Sequence, residues 1–272
     1  MRPAMLRVHR WVGLLAGPVI LVLGLSGSIL VYRDTLDAAL GGRPPAVEPA
    51  ASIVSLDAAV AGVLARFPGA EPRAITLSTA AREPHRIELQ WRGDRVEVWV
   101  DPYRGTVLSS RLPDRSVLVA VHRLHASLHL GRSGSAVVGA LGLLLLLEGA
   151  TGLWLWPPSS WRRRASGSGR RPRADPGAAH RLLGALTLAV NGLLGFTGSL
   201  LAFTAMAGGS PDGLLARLHP GILHLHSGGI GGEPTRLLWA LMGLAVAFLG
   251  VSGYLLAGAA ERVRAQGLRT TR

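Results

Sequence analysis

The sequence predicts an integral membrane protein that is mainly α-helical, with a bundle of four transmembrane helices and a small α+β domain inserted between helices 1 and 2. Three observations support this fold class. Four apolar runs are each long enough to cross a bilayer, the runs are related in pairs as a two-fold internal repeat, and alternating residues between the first two runs indicate strands. A hydrophobic share of 49% in 272 residues also fits a membrane protein.

Each apolar run has about 20 residues, the length that an α-helix needs to cross the hydrocarbon core. The lipid bilayer is therefore the first expected partner. The first run is too long for the apolar region of a signal peptide, and no clear small-x-small cleavage site follows it, so we expect an uncleaved span. The four predicted spans are Trp11–Tyr32, Ala136–Trp156, Leu182–Phe203 and Leu237–Ala257.

The arginines set the expected orientation, because the chain has a net charge of +13 and contains no lysine. Arginine is concentrated near the N-terminus, in segment 161–181 and in segment 261–272, whereas the charges of residues 33–132 nearly balance. Positive charge marks the cytoplasmic side, so we expect both termini inside and the inserted domain outside. The charge flanks apolar spans, and we do not expect nucleic acid as a partner.

An internal repeat relates the first span to the third and the second span to the fourth. At an offset of 171 residues, His9 falls on His180, and the matched H-R-x-x-G starts are followed by matched [ST]-G-S ends. At an offset of 101 residues, His125 falls on His226. Apolar helices rich in glycine resemble one another in any case, but these ordered matches are more than composition predicts.

The residues between the first two spans predict a small α+β domain. The stretch "SLDAAVAGVLARFPGA" has apolar residues at helical spacing and ends at Pro68-Gly69. The stretches "RIELQW" and "RVEVWVD" alternate as half-buried strands do, with Gly93-Asp94 as the turn between them. A further turn, "DPYRGTVL", leads into a short strand. This domain identifies no chemistry by itself.

These features divide the chain into seven segments. They are the N-terminus with the first span (1–32), the outer domain (33–115), a histidine-rich lead-in with the second span (116–160), a basic cytoplasmic linker (161–181), the third span (182–205), a periplasmic loop (206–236), and the fourth span with a basic tail (237–272).

Several kinds of chemistry are excluded by what the chain lacks. Without cysteine there can be no disulfide, no cysteine-ligated iron–sulfur cluster and no C-x-x-C-H haem attachment. No G-x-G-x-x-G follows a predicted strand, so we expect this chain to bind neither flavin nor nicotinamide. Neither H-E-x-x-H nor a G-x-S-x-G triad occurs, so we do not expect a peptidase.

Four histidines stand at matched positions near the ends of the spans. The repeat places His9 and His180 at the cytoplasmic ends, and His125 and His226 at the outer ends. A haem held by two histidines needs one neutral imidazole on each face, supplied by facing helices. Each end of the bundle offers one histidine from each half, so these four are candidate axial ligands of two haem b groups.

Further histidines crowd the outer end. In "HRLHASLHLG" the spacings place His122, His125 and His129 on one face of a continuous helix. The repeat favours His125 as the ligand; His129 and His224 are alternative ligands or line the haem edge. Roles for His122 and His219 stay open: they could line the outer haem edge, bind a metal substrate or lie in the interface. In a competing hypothesis a metal such as zinc or copper binds directly to the outer histidines, namely His125, His129, His224 and His226.

Glu148 lies deep in the second span, where an ionised carboxylate is costly and often functional. Two roles stay open for it. It could take up protons that accompany electron flow, or it could stay protonated and hydrogen-bond to a neighbouring helix.

Five ordered motifs resemble the PepSY-associated transmembrane helix family, and the resemblance covers nearly the whole chain. The motifs are "HRWVG", "LHASL", "TGLWLWPP", "HRLLG" and "HSGGIGG". The inserted domain with its closing "DPYRGTVL" resembles a PepSY domain. One departure is "DPYRG", where the family usually has threonine ahead of the glycine.

The resemblance implies an iron-regulated protein of the bacterial inner membrane that is similar to ferric-siderophore reductases with b-type haem. On this hypothesis the protein is a haem-dependent reductase, which takes electrons from quinol or a cytoplasmic reductase. The acceptor would be a ferric siderophore or another periplasmic ferric chelate. Two alternatives are a haem-free PepSY module that binds a metal or senses a partner, and a haem subunit of another oxidoreductase.

Overall fold

A computed structural model describes residues 1–42, 44–156, 177–207 and 213–269. The chain divides into two compact units, which we call the bundle unit (Met1–Tyr32 with His122–Arg272) and the sheet unit (Arg33–Val121). Each predicted span coincides with a helix that is long and apolar enough to cross a membrane. These helices are Arg2–Val31, Gly131–Leu155, Ala178–Ala207 and Gly229–Ala259.

The secondary structure follows the predicted order, with additions that the sequence did not indicate. In chain order the helices are α1 (Arg2–Val31), α2 (Arg33–Asp37), α3 (Leu56–Arg66), α4 (Val117–Ser127), α5 (Gly131–Leu155), α6 (Ala178–Ala207), α7 (Leu214–His226) and α8 (Gly232–Arg269). The strands are β1 (Glu71–Thr76), β2 (His85–Trp91), β3 (Asp94–Val100) and β4 (Val107–Arg111).

The sheet unit is built on an antiparallel four-stranded sheet in the order β1-β2-β3-β4. Ser55 caps the N-terminus of helix α3, because its hydroxyl accepts a hydrogen bond from the Ala58 backbone N–H at 3.2 Å. Side chains of α3, β2 and β3 form one apolar core, including Val63, Ile87, Leu89, Val98 and Val100. The predicted small α+β domain is thus present in this unit.

Burial in the strands differs in part from the predicted alternation. Strand β2 alternates as predicted, but β3 is buried on both faces. Glu97 and Trp99 on its polar face are covered by Arg111, which donates to the Glu97 carboxylate at 2.6 Å and lies over the Trp99 ring. Strand β1 was not predicted, because it is exposed along its whole length and has no alternating pattern.

The lead-in to the second span contains a break that the sequence did not predict. Helix α4 ends at Ser127, and Leu128 and His129 have positive φ angles of 51° and 60°. The prediction that His129 shares one helical face with His122 and His125 is therefore wrong. A Cβ at Gly134 would overlap the Ser127 carbonyl, so this glycine permits the sharp turn between α4 and α5.

The structure describes most of the predicted loop 206–236 but little of the predicted linker 161–181. The predicted loop 206–236 contains the helix α7 and a 3-10 turn, Gly229–Gly231. The predicted linker 161–181 lies outside the described residues as far as residue 176, and α6 begins at Ala178. Helix α7 places His226 at its last position.

The bundle unit depends on two close helix pairs, α1 with α8 and α5 with α6. Glycine faces glycine in both pairs, Gly24 against Gly243 and Gly142 against Gly195. The Ser28 hydroxyl donates to the carbonyl of residue 240 at 2.8 Å, and the Ser199 hydroxyl donates to the carbonyl of residue 139 at 2.9 Å. Small residues let helix backbones approach closely in lipid. The two pairs are related by the predicted offsets of 171 and 101.

We expect Gly24→Ala to lower the thermal stability of the detergent-solubilised protein. An added Cβ would lie 2.6 Å from the Gly243 carbonyl oxygen, and such overpacking costs about 1–3 kcal/mol. Gly221→Ala is the matched control, because a Cβ there meets nothing within 4 Å. Equal unfolding midpoints for the two variants would contradict this account of the helix contact.

Candidate functional site

Four histidines of the bundle unit form two pairs. The rings of His9 on α1 and His180 on α6 have centroids 6.3 Å apart and are nearly perpendicular, at 81°. The rings of His125 on α4 and His226 on α7 have centroids 6.2 Å apart and are tilted by 46°. The structure therefore brings together the same two pairs that the sequence alignment matched.

The separation within each pair suits two imidazoles that share one metal ion. A metal–nitrogen bond of about 2 Å on each side of the ion places the centroids of two opposed imidazoles about 6 Å apart. Both pairs have this separation, and in both pairs the two rings come from different helices. The ring separation at each pair therefore fits two imidazoles on opposite sides of one metal ion.

Hydroxyl groups on neighbouring helices hold the Nδ1 atom of every ring. The four contacts are His9 with Thr151 at 2.9 Å, His180 with Ser252 at 2.8 Å, His125 with Ser26 at 3.1 Å, and His226 with Thr197 at 2.8 Å. Sequence reasoning missed these hydroxyls. The internal repeat could have identified them. Ser26 and Thr197 match at the offset of 171 residues, and Thr151 and Ser252 match at the offset of 101 residues.

The direction of these hydrogen bonds fixes the ring tautomer. The Thr151 and Thr197 hydroxyls donate their protons to backbone carbonyls of their own helices, at 2.8 and 2.7 Å. With their protons placed in this way, we infer that both hydroxyls accept from Nδ1–H of the histidines. His125 Nδ1 also lies 3.0 Å from the Leu23 carbonyl oxygen, which can only accept. Nε2 is therefore the ring nitrogen with a free lone pair, as in histidines that bind metals.

Glycines lie against all four imidazoles. A Cβ at Gly27 would lie 2.9 Å from Cε1 of His125, and a Cβ at Gly198 would lie 3.1 Å from Cε1 of His226. The corresponding distance is 3.5 Å both for Gly152 with His9 and for Gly253 with His180. A larger residue at Gly27 or Gly198 would displace the ring beside it, so these glycines help to set the ring positions.

The His125 and His226 imidazoles are neutral at neutral pH. Removal from water disfavours the charged form of a histidine. Burial accordingly lowers the pKa of both His125 and His226 to about 4. Neutral imidazoles are the form that coordinates a metal ion.

Glu148 on α5 contacts the His9 ring on α1. Its Oε2 atom lies 2.8 Å from His9 Nδ1, so the Nδ1–H is shared between this carboxyl group and the Thr151 hydroxyl. Glu148 Oε1 is buried and has no hydrogen-bond partner among the described residues. Glu148 thus contacts a neighbouring helix as a hydrogen-bond acceptor, while its protonation and its uptake of protons stay predictions.

The other outer histidines are placed differently from the two pairs. His129 is exposed in the turn after α4, and His224 is exposed on α7 against Gly229. Within the described ranges, no group of three or more His, Cys, Asp or Glu side chains could hold a metal ion. The direct zinc or copper site that competed with haem has no support there.

The two histidine pairs lie far apart along the bundle. His9 and Ser26, which holds His125, are both on α1, and at about 1.5 Å per residue this places the sites about 25 Å apart along its axis. Arg10 of α1 donates to the Ala257 carbonyl and to Glu261 of α8. The beginning of α1 and the end of α8 are therefore at the same end of the bundle as His9.

A protein family model matches most of the chain. Residues 6–221 match the family described as the PepSY-associated TM region. The matched segment includes His9, His125 and His180 and ends shortly before His226. No curated protein matches the chain.

We expect nitrogen-15 NMR of histidine-labelled, haem-free protein to show the His226 proton on Nδ1. Thr197→Val removes the acceptor. Because a neutral hydrogen bond contributes about 0.5–1.5 kcal/mol net, the ratio of the Nδ1–H to the Nε2–H tautomer should fall about two- to tenfold. Thr204→Val is the matched control, since the Thr204 hydroxyl donates to the Leu201 carbonyl in the same helix. An Nε2–H tautomer of His226 in the unaltered protein would refute the assigned hydrogen-bond direction.

Proposed function

The chain belongs to the family of the PepSY-associated TM region, and on that basis we propose that it is a bacterial inner-membrane protein that binds two haem b groups. Its activity would be the transfer of electrons from quinol or a cytoplasmic reductase to a periplasmic ferric chelate, such as a ferric siderophore, for iron acquisition. The observation that carries this proposal is the pair of facing imidazoles found at each of two sites.

The residues at both sites fit haem b. His9 with His180 would hold one haem, and His125 with His226 would hold the other. Each ring is anchored through Nδ1, which leaves Nε2 to meet the iron. When bound, haem supplies one-electron chemistry between ferric and ferrous iron. Without cysteine in the chain, attachment would be non-covalent.

The protein's own contribution is to fix the ligands. The hydroxyls of Ser26, Thr151, Thr197 and Ser252 hold the imidazoles in one tautomer and one orientation. Such partners of a ligand contribute about 10- to 100-fold to metal affinity or activity. The apolar helices around the sites keep them at low dielectric, which strengthens the hydrogen bonds to the rings.

The orientation of the protein follows from its charges. Arginines flank the end of the bundle where α1 begins and α8 ends, and positive charge marks the cytoplasmic side. On this proposed orientation the His9 site would lie towards the cytoplasm and the His125 site towards the periplasm. The sheet unit, proposed as a PepSY domain, would then be periplasmic, on the side where a ferric chelate arrives.

We expect the purified protein to contain two haem b groups, and His226→Ala and His180→Ala each to retain one. Removing one axial ligand leaves the iron of that site without its partner, while the distant site keeps both histidines. A dithionite-reduced minus oxidised spectrum with a pyridine haemochrome counts haem per chain. His219→Ala, also on α7 but outside both pairs, is the control and should keep two.

Protein made with ample haem that contains none would overturn the proposal. Two haems in both His226→Ala and His180→Ala would show that the ligands are assigned wrongly.

The acceptor can be tested with ferric citrate as a simple chelate. Anaerobic protein reduced with stoichiometric dithionite should be reoxidised by ferric citrate, with ferrous iron captured by a colorimetric chelator. His226→Ala should slow this reoxidation about tenfold or more, because loss of a haem-holding residue has effects of at least that size. Gly221→Ala, in which the added Cβ meets nothing within 4 Å, should react at the unaltered rate. Reduced protein that ferric citrate leaves reduced would contradict a ferric chelate as acceptor.

A further inference from the structure

We propose that Glu148 gives the haem held by His9 and His180 a lower reduction potential than it would have without this carboxylate, and makes it the lower-potential haem of the two. This inference rests on the proposed function, since it requires haem at both histidine pairs. It assigns a positioning role to Glu148, which acts on the haem through the His9 ring and does not touch the iron.

The environments of the four histidines share two features, although His125 Nδ1 also lies 3.0 Å from the neutral Leu23 carbonyl. Each ring has a hydroxyl at Nδ1 and a glycine at Cε1, and these partners correspond under the offsets of 171 and 101. His9 departs from this pattern. Its Nδ1 atom lies 2.8 Å from the carboxylate of Glu148, and among the described residues none of the other three histidines has a carboxylate within ion-pair distance.

The equivalent position in the other half of the bundle is occupied by leucine. At the 101 offset, Glu148 falls on Leu249. The packing agrees, because a Cβ at Gly13 would lie 3.7 Å from Glu148 Oε2, and a Cβ at Gly184 would lie 3.7 Å from Leu249 Cδ2. Glu148 therefore packs against Gly13 as Leu249 packs against Gly184, and the difference between the two side chains is the carboxyl group.

A carboxylate at this place acts on the electronic properties of the ligand. A hydrogen bond from an imidazole N–H to a charged acceptor is roughly twice as strong as one to a neutral acceptor. It makes the ring a more basic ligand, and a more basic ligand favours ferric over ferrous iron. The low dielectric of the bundle interior strengthens this interaction.

The cost of placing Glu148 in a span also argues for a functional role. A carboxyl group within the membrane is expensive and is retained where it has a function. Leu249 shows that an apolar residue fits the same position of this scaffold. A lower potential at the His9 site than at the His125 site is the order that electron transfer towards the periplasm requires.

The test measures the potential of the haem held by His9 and His180 alone. In a His226→Ala background that haem is the one that remains, and its midpoint is read by spectroelectrochemistry at constant pH. Glu148→Gln keeps the shape of the side chain but makes it a weaker hydrogen-bond acceptor. Glu148→Leu introduces the residue found at the equivalent position, Leu249. We expect both to raise the potential, with the larger shift for leucine. A tenfold change in the reduction equilibrium, the size expected for leucine, is about 59 mV for one electron.

Leu249→Ala is the control for packing, because it disturbs the equivalent position beside His180 without changing charge. It should leave the potential unchanged. In the two-haem protein, Glu148→Gln should shift one of the two reduction waves and leave the other in place.

The outcomes separate this inference from the proposed function. Unaltered protein without haem would defeat the proposed function itself. Two haems with unmoved potentials in Glu148→Gln would overturn the role of Glu148 and leave the proposed function standing. An equal shift in Leu249→Ala would attribute the effect to packing and would also overturn it. Loss of the haem at His9 and His180 from both Glu148 variants would also overturn the role of Glu148 in setting the potential, since it would show that Glu148 is needed for haem binding.

Discussion

The close backbone contact between α1 and α8, and between α5 and α6, is the constraint on which the rest of the bundle unit depends. The glycines at these contacts leave no room for a side chain, and lipid provides no hydrophobic force to bring the helices together, so close packing must do so. Ser26 lies within one turn of Gly24, and Thr197 lies within one turn of Gly195. The helix contacts thus also fix the hydroxyls that orient His125 and His226.

The two helix pairs explain why each site draws on both halves of the chain. His9 and His180 come from α1 and α6, while their hydroxyl partners come from α5 and α8. Each imidazole is therefore supported by a helix other than its own. A change in the spacing of any one helix would alter the distance between two rings. This coupling accounts for nearly equal ring separations at both ends, 6.3 and 6.2 Å.

Much of this arrangement could be predicted from sequence, where length, hydropathy and matched offsets carry the information. The spans and the pairing of His9 with His180 are of this kind. The break after α4 was missed because nothing in Leu128 or His129 marks a positive φ, and β1 was missed because an exposed strand lacks alternation. The contact between Glu148 and His9 depends on the rotation and height of two helices, which no local pattern specifies.

We propose haem rather than a bare metal ion at both histidine pairs because of the number of ligands that each pair offers. A structural zinc ion needs four ligands and a catalytic one needs three from the protein, whereas the described residues contain no group of three that could hold a metal ion. A porphyrin supplies four nitrogens of its own and asks the protein for one imidazole on each face. Two opposed rings from separate helices, each anchored through Nδ1, meet that demand. The same pair would leave a bare ion with half of its ligands missing.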